Sequence, residues 1–289
     1  MRFSKTELNV LEQIALGNQN IIEIAKTLNK DKSQIYRIVK SLSQKDFVNL
    51  ENKEIKPFQF THVNILLQEL ARQSSFIDNI SGCGVTFYTF ILEEPKTISE
   101  IIKGTGIKRS TIFHKLKEAY RNSFIKTIGN KYQFNDKVWS KLKEFFIELQ
   151  KYEQTNDKRV PPGAVIHYKI KDEIVFSTKK ECDAILTGFS AYEQFGIKLL
   201  TIDYTYYLPN KKLTLKEVFL HSLYRTDNEK NITNLIFITL FYVKHKRKLK
   251  KIKHNIIDNI NKVLQNYKVE GYPTFDEIRD RAEVYDIKF

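Results

Sequence analysis

The chain repeats itself. A shift of 77 residues, made without a gap, lays Glu23 on Glu100, Ile24 on Ile101, Lys26 on Lys103, Ser33 on Ser110, Ile35 on Ile112, Lys40 on Lys117 and Phe47 on Phe124. Near matches fill the intervals: Tyr36 with Phe113, Arg37 with His114, Val39 with Leu116, and Val48 with Ile125. One supersecondary unit built twice constrains the architecture more than any local pattern does.

Each copy predicts the same succession of elements. Asn20 and Thr97 stand three residues before Glu23 and Glu100, the capping-box spacing that satisfies free amides at a helix start. Short helices then run through Ile24 and Leu28, or Ile101 and Ile102, and meet the turn-compatible stretches Asn29-Lys30-Asp31-Lys32 and Gly104-Thr105-Gly106-Ile107. A second helix follows, N-capped by Ser33 or Ser110. Its apolar positions, Ile35, Val39, Leu42 and Ile112, Leu116, Ala119, recur at i, i+4, i+7 and make one buried stripe. The opposite face presents Ser33, Tyr36, Arg37 and Lys40 in the first copy and Ser110, Phe113, His114 and Lys117 in the second, with Lys30, Lys32, Lys108 and Arg109 at the entries. Strand-rich stretches come next, residues 47–60 and 124–134, the latter turning at Gly129-Asn130. Helical patterns over 6–15 and around 87–92 precede the two units.

The stretch from Ile24 through Ser33-Gln34-Ile35-Tyr36-Arg37-Ile38-Val39-Lys40 to Phe47-Val48, with its second copy, resembles the tandem winged helix-turn-helix domains of MarR-like and other prokaryotic and archaeal transcription regulators. The resemblance implies double-stranded DNA as partner, the second helix of each unit lying in the major groove. Roles then divide by chemistry. Lys30, Lys32, Lys40, Lys108, Arg109 and Lys117 suit phosphate contacts, which position the protein. Arg37 and His114, with Tyr36 and Phe113, suit base edges, although Phe113 equally suits packing under its own wing. Lys126 and Lys131 flank the second hairpin without an acid and suit a backbone or minor-groove contact. In the first hairpin Glu51 and Glu54 offset Lys53 and Lys56.

Charge agrees with an anionic partner: 48 Lys and Arg against 34 Asp and Glu leave +14. There are 24 basic and 17 acidic residues on each side of residue 155, so the excess is not confined to the repeat. Cys83 and Cys182 lie far apart in no ligand spacing, and a reducing cytoplasm fits them. No apolar run approaches the ~20 residues that span a bilayer, so no membrane role is expected.

The fold expected is mainly α with α+β: winged-helix domains with trailing helices over 1–80 and 81–157, then an α+β domain over 158–289. The boundary falls at polar and turn residues between Gln154 and Gly163, after an amphipathic stretch at 138–152. Strand patterns are read at 165–170, 174–177 and 199–208, and helices at 214–223 and 232–267. The passage from Ala184 through Thr187-Gly188-Phe189-Ser190-Ala191 to Phe195-Gly196 resembles the C-terminal domain of AbiEi-type antitoxins, as does the chain end from Tyr272 to Ile287. That resemblance implies a nucleotidyltransferase-like fold and a protein partner, a toxin or a second copy. Catalysis in such folds needs two carboxylates one residue apart, where Asp203-Tyr204-Thr205 supplies one, so no enzyme activity is expected. The six histidines are scattered, with no metal or Walker motif, and neither metal nor cofactor is expected. A sequence-specific regulator, a repressor or antitoxin-like autoregulator, is the leading expectation. The alternatives are a nucleotidyltransferase-type enzyme and a protein-binding antitoxin or adaptor. The run from Lys244 to Lys253 holds seven Lys or Arg and no acid, which suits a solvated face, a DNA clamp or an acidic partner protein.

Overall fold

The computed structural model describes residues 1–51 and 54–288, so Lys53 lies outside the described residues. The chain divides into two compact units, Met1–Glu153 and Gln154–Phe289. The first contains α1 (Lys5–Ala15), α2 (Ile21–Thr27), α3 (Lys32–Gln44), β1 (Val48–Glu51), β2 (Glu54–Pro57), α4 (Thr61–Arg72), α5 (Ile77–Ile80), α6 (Gly84–Phe90), α7 (Ile98–Thr105), α8 (Arg109–Arg121), β3 (Ile125–Ile128) and β4 (Lys131–Phe134). It closes with α9 (Ser140–Thr155), whose last turn crosses the boundary.

The offset of 77 carries α3 onto α8, β1 onto β3 and β2 onto β4 end for end. It extends into the backbone. Asp46 and Ser123 both adopt the left-handed conformation, with φ of 58° and 55°. The next amides, of Phe47 and Phe124, return to the carbonyls of Leu42 and Ala119 and so close the helix ends. Both phenylalanines are fully buried, which anchors the chain where it leaves the helix and enters the hairpin. Each hairpin is antiparallel, in registers Val48↔Pro57 and Ile125↔Phe134, and gains a third partner through the bridges Asn20↔Glu54 and Lys96↔Tyr132.

The two copies share one hydrophobic core running from Phe3 to Leu149. Polar bonds from α5 stitch them together. The Lys115 ammonium, 7% exposed, donates to the Asp78 carbonyl at 2.8 Å, and Asn122 Nδ2 donates to Asn79 Oδ1 at 2.5 Å. Lys115 corresponds to Ile38 in the first copy, so this bond marks where the copies have diverged.

Helix starts differ from the sequence expectation. Ser33 and Ser110 are not caps: Asp31 and Lys108 hold the extended cap backbone, the helices begin two residues earlier than serine caps would place them, and neither cap side chain bonds an amide. Thr97 and Glu100 form the expected capping box. Asn20 instead accepts from the Ile22 amide, so its reach ends at the second helical residue and Glu23 returns nothing to it.

A capping box absent from the sequence reading opens α1, where Ser4 and Glu7 exchange bonds. Glu7 is buried, and its other oxygen takes bonds from Ser41 Oγ at 2.7 Å and Lys45 Nζ at 2.5 Å, both near the end of α3. Burial raises the Glu7 carboxyl, but these donors outweigh it and hold it below the usual carboxylate range. Glu7→Ala strands Lys45 and Ser41 and is expected to cost about 2–4 kcal/mol, read as a lower urea midpoint with unchanged slope.

The second unit is α+β. It contains β5 (Val165–Ile170), β6 (Glu173–Thr178), β7 (Ile185–Leu186), a 3-10 helix (Gly188–Phe195), β8 (Tyr204–Leu208), α10 (Leu215–Asn228), α11 (Ile232–Lys244), α12 (Lys246–Leu249), α13 (Asn255–Leu264) and α14 (Phe275–Glu283). Its sheet is antiparallel, in order β5-β6-β8-β7. The strand read at 199–208 shrinks to its second half because only residues 204–208 find a partner strand. The helix read over 232–267 breaks into three, with a turn at His245 and non-helical residues 252–254.

Candidate nucleic-acid interface

α3 owes its straight outward face to its buried stripe. Ile35, Val39 and Leu42 are sealed in the core, which turns Lys32, Ser33, Tyr36, Arg37 and Lys40 to solvent. The helix contains no acid. Lys32, Arg37 and Lys40 form no ion pair among the described residues, so their charge is available to an incoming anion. Tyr36 is 51% exposed, an aromatic edge beside a guanidinium. Gln34, absent from the sequence assignments, is also exposed and lies one turn before Arg37. The helical spacing i, i+3 is the signal that would have found it, and its amide can pair with adenine as Arg37 can with guanine. Lys30 is half-buried. It lines a shallow concavity of about 450 Å³ with Lys26, Asn29, Asp31 and Lys32, where α2 turns into α3.

In the second copy, Lys108, Arg109, Ser110, Phe113, His114 and Lys117 are all exposed. Phe113, 46% exposed, is not under its wing: its ring lies 5.5 Å from the Arg109 guanidinium, a cation–π contact one turn away. His114 Nδ1 sits 3.5 Å from Glu118 Oε1, and Glu118 also holds Lys115. An acid therefore stands behind His114, where Arg37 has none on its helix. At the wings, Lys131 is exposed, but the acid-free environment read for Lys126 is wrong. Asp136, just beyond β4, binds Lys126 at 3.0 Å and Lys143 at 3.3 Å. Ten residues separate Asp136 from Lys126, and the hairpin brings them together. In the first wing Lys56 pairs with Glu51 at 3.3 Å.

The site is thus two surface helices with unpaired cations and exposed aromatics, each followed by a two-stranded wing. Residues 1–65 match the family model of the sugar-specific transcriptional regulator TrmB. The match takes in α1, α2, α3, the first wing and the start of α4, which is a winged-helix, DNA-binding segment of transcription regulators. No match is found among curated proteins. No helix among the described residues is long and apolar enough to cross a membrane.

In the second unit, the groups that invited a nucleotidyltransferase comparison are engaged in the fold. Ser190 Oγ accepts from the Thr205 amide at 2.9 Å, and Asp203 is paired with Arg225 at 2.9 Å. Arg225 also donates to Thr205 Oγ1.

Proposed function

We propose that the chain is a sequence-specific, double-stranded-DNA-binding transcription regulator with two winged helices, one centred on α3 and one on α8. The observation that carries the reading is the acid-free outward face of α3, with Arg37, Lys32 and Lys40 unpaired, inside the segment that matches a regulator family. Recurrence of the whole helix-turn-helix-hairpin succession 77 residues later supports a second reading head. Repression by blocking promoter access is the simplest output, since a rigid body on the duplex excludes polymerase without further chemistry. An antitoxin-like autoregulator, paired through the second unit with a protein partner, is the more specific version.

We take the second unit to be non-catalytic, because Asp203 is committed to Arg225 and Ser190 to the backbone. The test is a gel-shift titration of the full chain against fragments of its own genome. Selection of the region upstream of its own gene, with affinity falling steeply as salt rises, is the expected result. Equal affinity for every fragment removes the regulator reading. Transfer of labelled nucleotide to RNA or protein with Mg²⁺ or Mn²⁺ restores an enzyme.

A further inference from the structure

The second unit carries a concentrated charge that its own fold does not use. Lys246, Arg247, Lys248, Lys250, Lys251 and Lys253 are all exposed, within eight residues. None forms an ion pair among the described residues. Leu249 and Ile252 are buried between them, so two apolar pegs fix the segment to the core and leave the remaining side chains pointing away from it. Lys244, just before, is different: it is tied to the Gly196 carbonyl at 2.7 Å.

The C-terminal end of α11 gives a local reason for one or two cations, because the helix macrodipole favours positive charge within its last turn. That reason ends by Lys248. Asp227, hydrogen-bonded to His254 at 3.1 Å, and Asp258, in the first turn of α13, pair with none of the six among the described residues. Six like charges in so short a stretch repel one another; salt screens part of that repulsion, and a dense polyanion relieves more of it while releasing its own counterions. Duplex DNA, with one phosphate charge per ~1.7 Å of axis, has that density.

We infer that the segment from Lys246 to Lys253 is a second, sequence-independent contact to the DNA phosphate backbone. The inference rests on the DNA-binding reading above and extends it to the second unit. It assigns phosphate positioning to this segment and leaves sequence choice to α3 and α8.

The experiment measures affinity of the full chain for a duplex of random sequence by fluorescence anisotropy across a KCl series. It compares the native chain with a variant carrying Lys→Gln at 246, 248, 250, 251 and 253 and Arg247→Gln. Far-UV circular dichroism and urea midpoint confirm that the variant folds, as expected when only exposed side chains change. Each lost phosphate contact lowers the slope of log K against log salt by about 0.9, so the slope should fall by about 3–5 and affinity near 100 mM salt by at least 30-fold. An unchanged slope in a chain that still binds DNA overturns this inference alone. A native chain that binds no duplex overturns the DNA reading and this contact together. Patch-dependent capture of poly-glutamate, with no change in DNA binding, assigns the segment to an acidic protein and also overturns the proposal.

Discussion

Arg37→Ala is expected to lower affinity for the preferred duplex about 10- to 100-fold while leaving affinity for unrelated duplex nearly unchanged. A bidentate guanidinium-to-guanine pair discriminates by about 1–3 kcal/mol, and Arg37 has no acid on its helix to draw it away. Lys32→Ala with Lys40→Ala should act in the opposite style. Both side chains are compact, unpaired charges, so all duplexes weaken alike and the salt slope falls by about 2. His114→Ala should change little by comparison, because Glu118, 3.5 Å behind the imidazole, sets an acid beside any anion it would meet. Competition binding with specific and random duplexes, run at three salt concentrations, separates these outcomes. If Arg37→Ala weakens both duplexes equally, α3 is a phosphate clamp and not a reader.

The second large effect concerns acid. His62, His167 and His221 are buried, and desolvation pushes each imidazole down to about 4. Their polar contacts fit neutral rings: His221 Nδ1 bonds Thr187 Oγ1 at 2.7 Å, His167 Nε2 bonds Ser177 Oγ at 2.9 Å, and His62 packs against Phe47, Phe60 and Tyr152. In the unfolded chain the same groups take up a proton near pH 6.5. Between pH 6.5 and 4 the unfolded state therefore binds more protons, and stability falls as pH falls. The contribution is fully present above pH 6.5 and lost progressively toward pH 4.

Each histidine gives a slope of about 1.4 kcal/mol per pH unit in that window. The first unit holds one of the three and the second holds two, with His245 also lowered by burial, so the second should lose stability at least twice as steeply. Trp139, the one tryptophan of the chain, is buried in the first unit and reports on it alone, while circular dichroism follows both. Urea titrations from pH 7 to 4.5 measure the slopes. His62→Phe, which keeps the aromatic stack, should flatten the tryptophan-detected slope. A flat slope in the native chain would remove the linkage.

Much of the first unit is legible in the sequence because its determinants are local and occur twice. The stripe Ile35, Val39, Leu42 and its copy place α3 and α8, and the outward residues follow from helical geometry. What escapes is decided by tertiary contact. Asp136 reaches Lys126 only when the hairpin folds, and Lys115 reads as an ordinary surface cation until α5 covers it. Helix starts fall two residues before those that serine caps would set, because backbone extension at Asp31 and Lys108, not a serine hydroxyl, fixes them. In the second unit there is no repeat to average over. The stretch before Tyr204 has strand-forming residues but no neighbour to pair with, and the apolar pattern from Ile232 continues past the point where His245 turns the chain.

The common core of the first unit has a geometric consequence. Two modules fastened side by side by Lys115, Asn122 and α5 cannot swivel independently, so their reading heads stand at one separation, like the marks of a ruler. If both modules engage DNA as proposed, a single chain would measure the distance along the double helix for which other proteins recruit a twin. On the DNA-binding reading proposed above, the outward faces of α3 and α8 differ at Arg37 and His114, so the address would be lopsided and the duplex would have a front and a back.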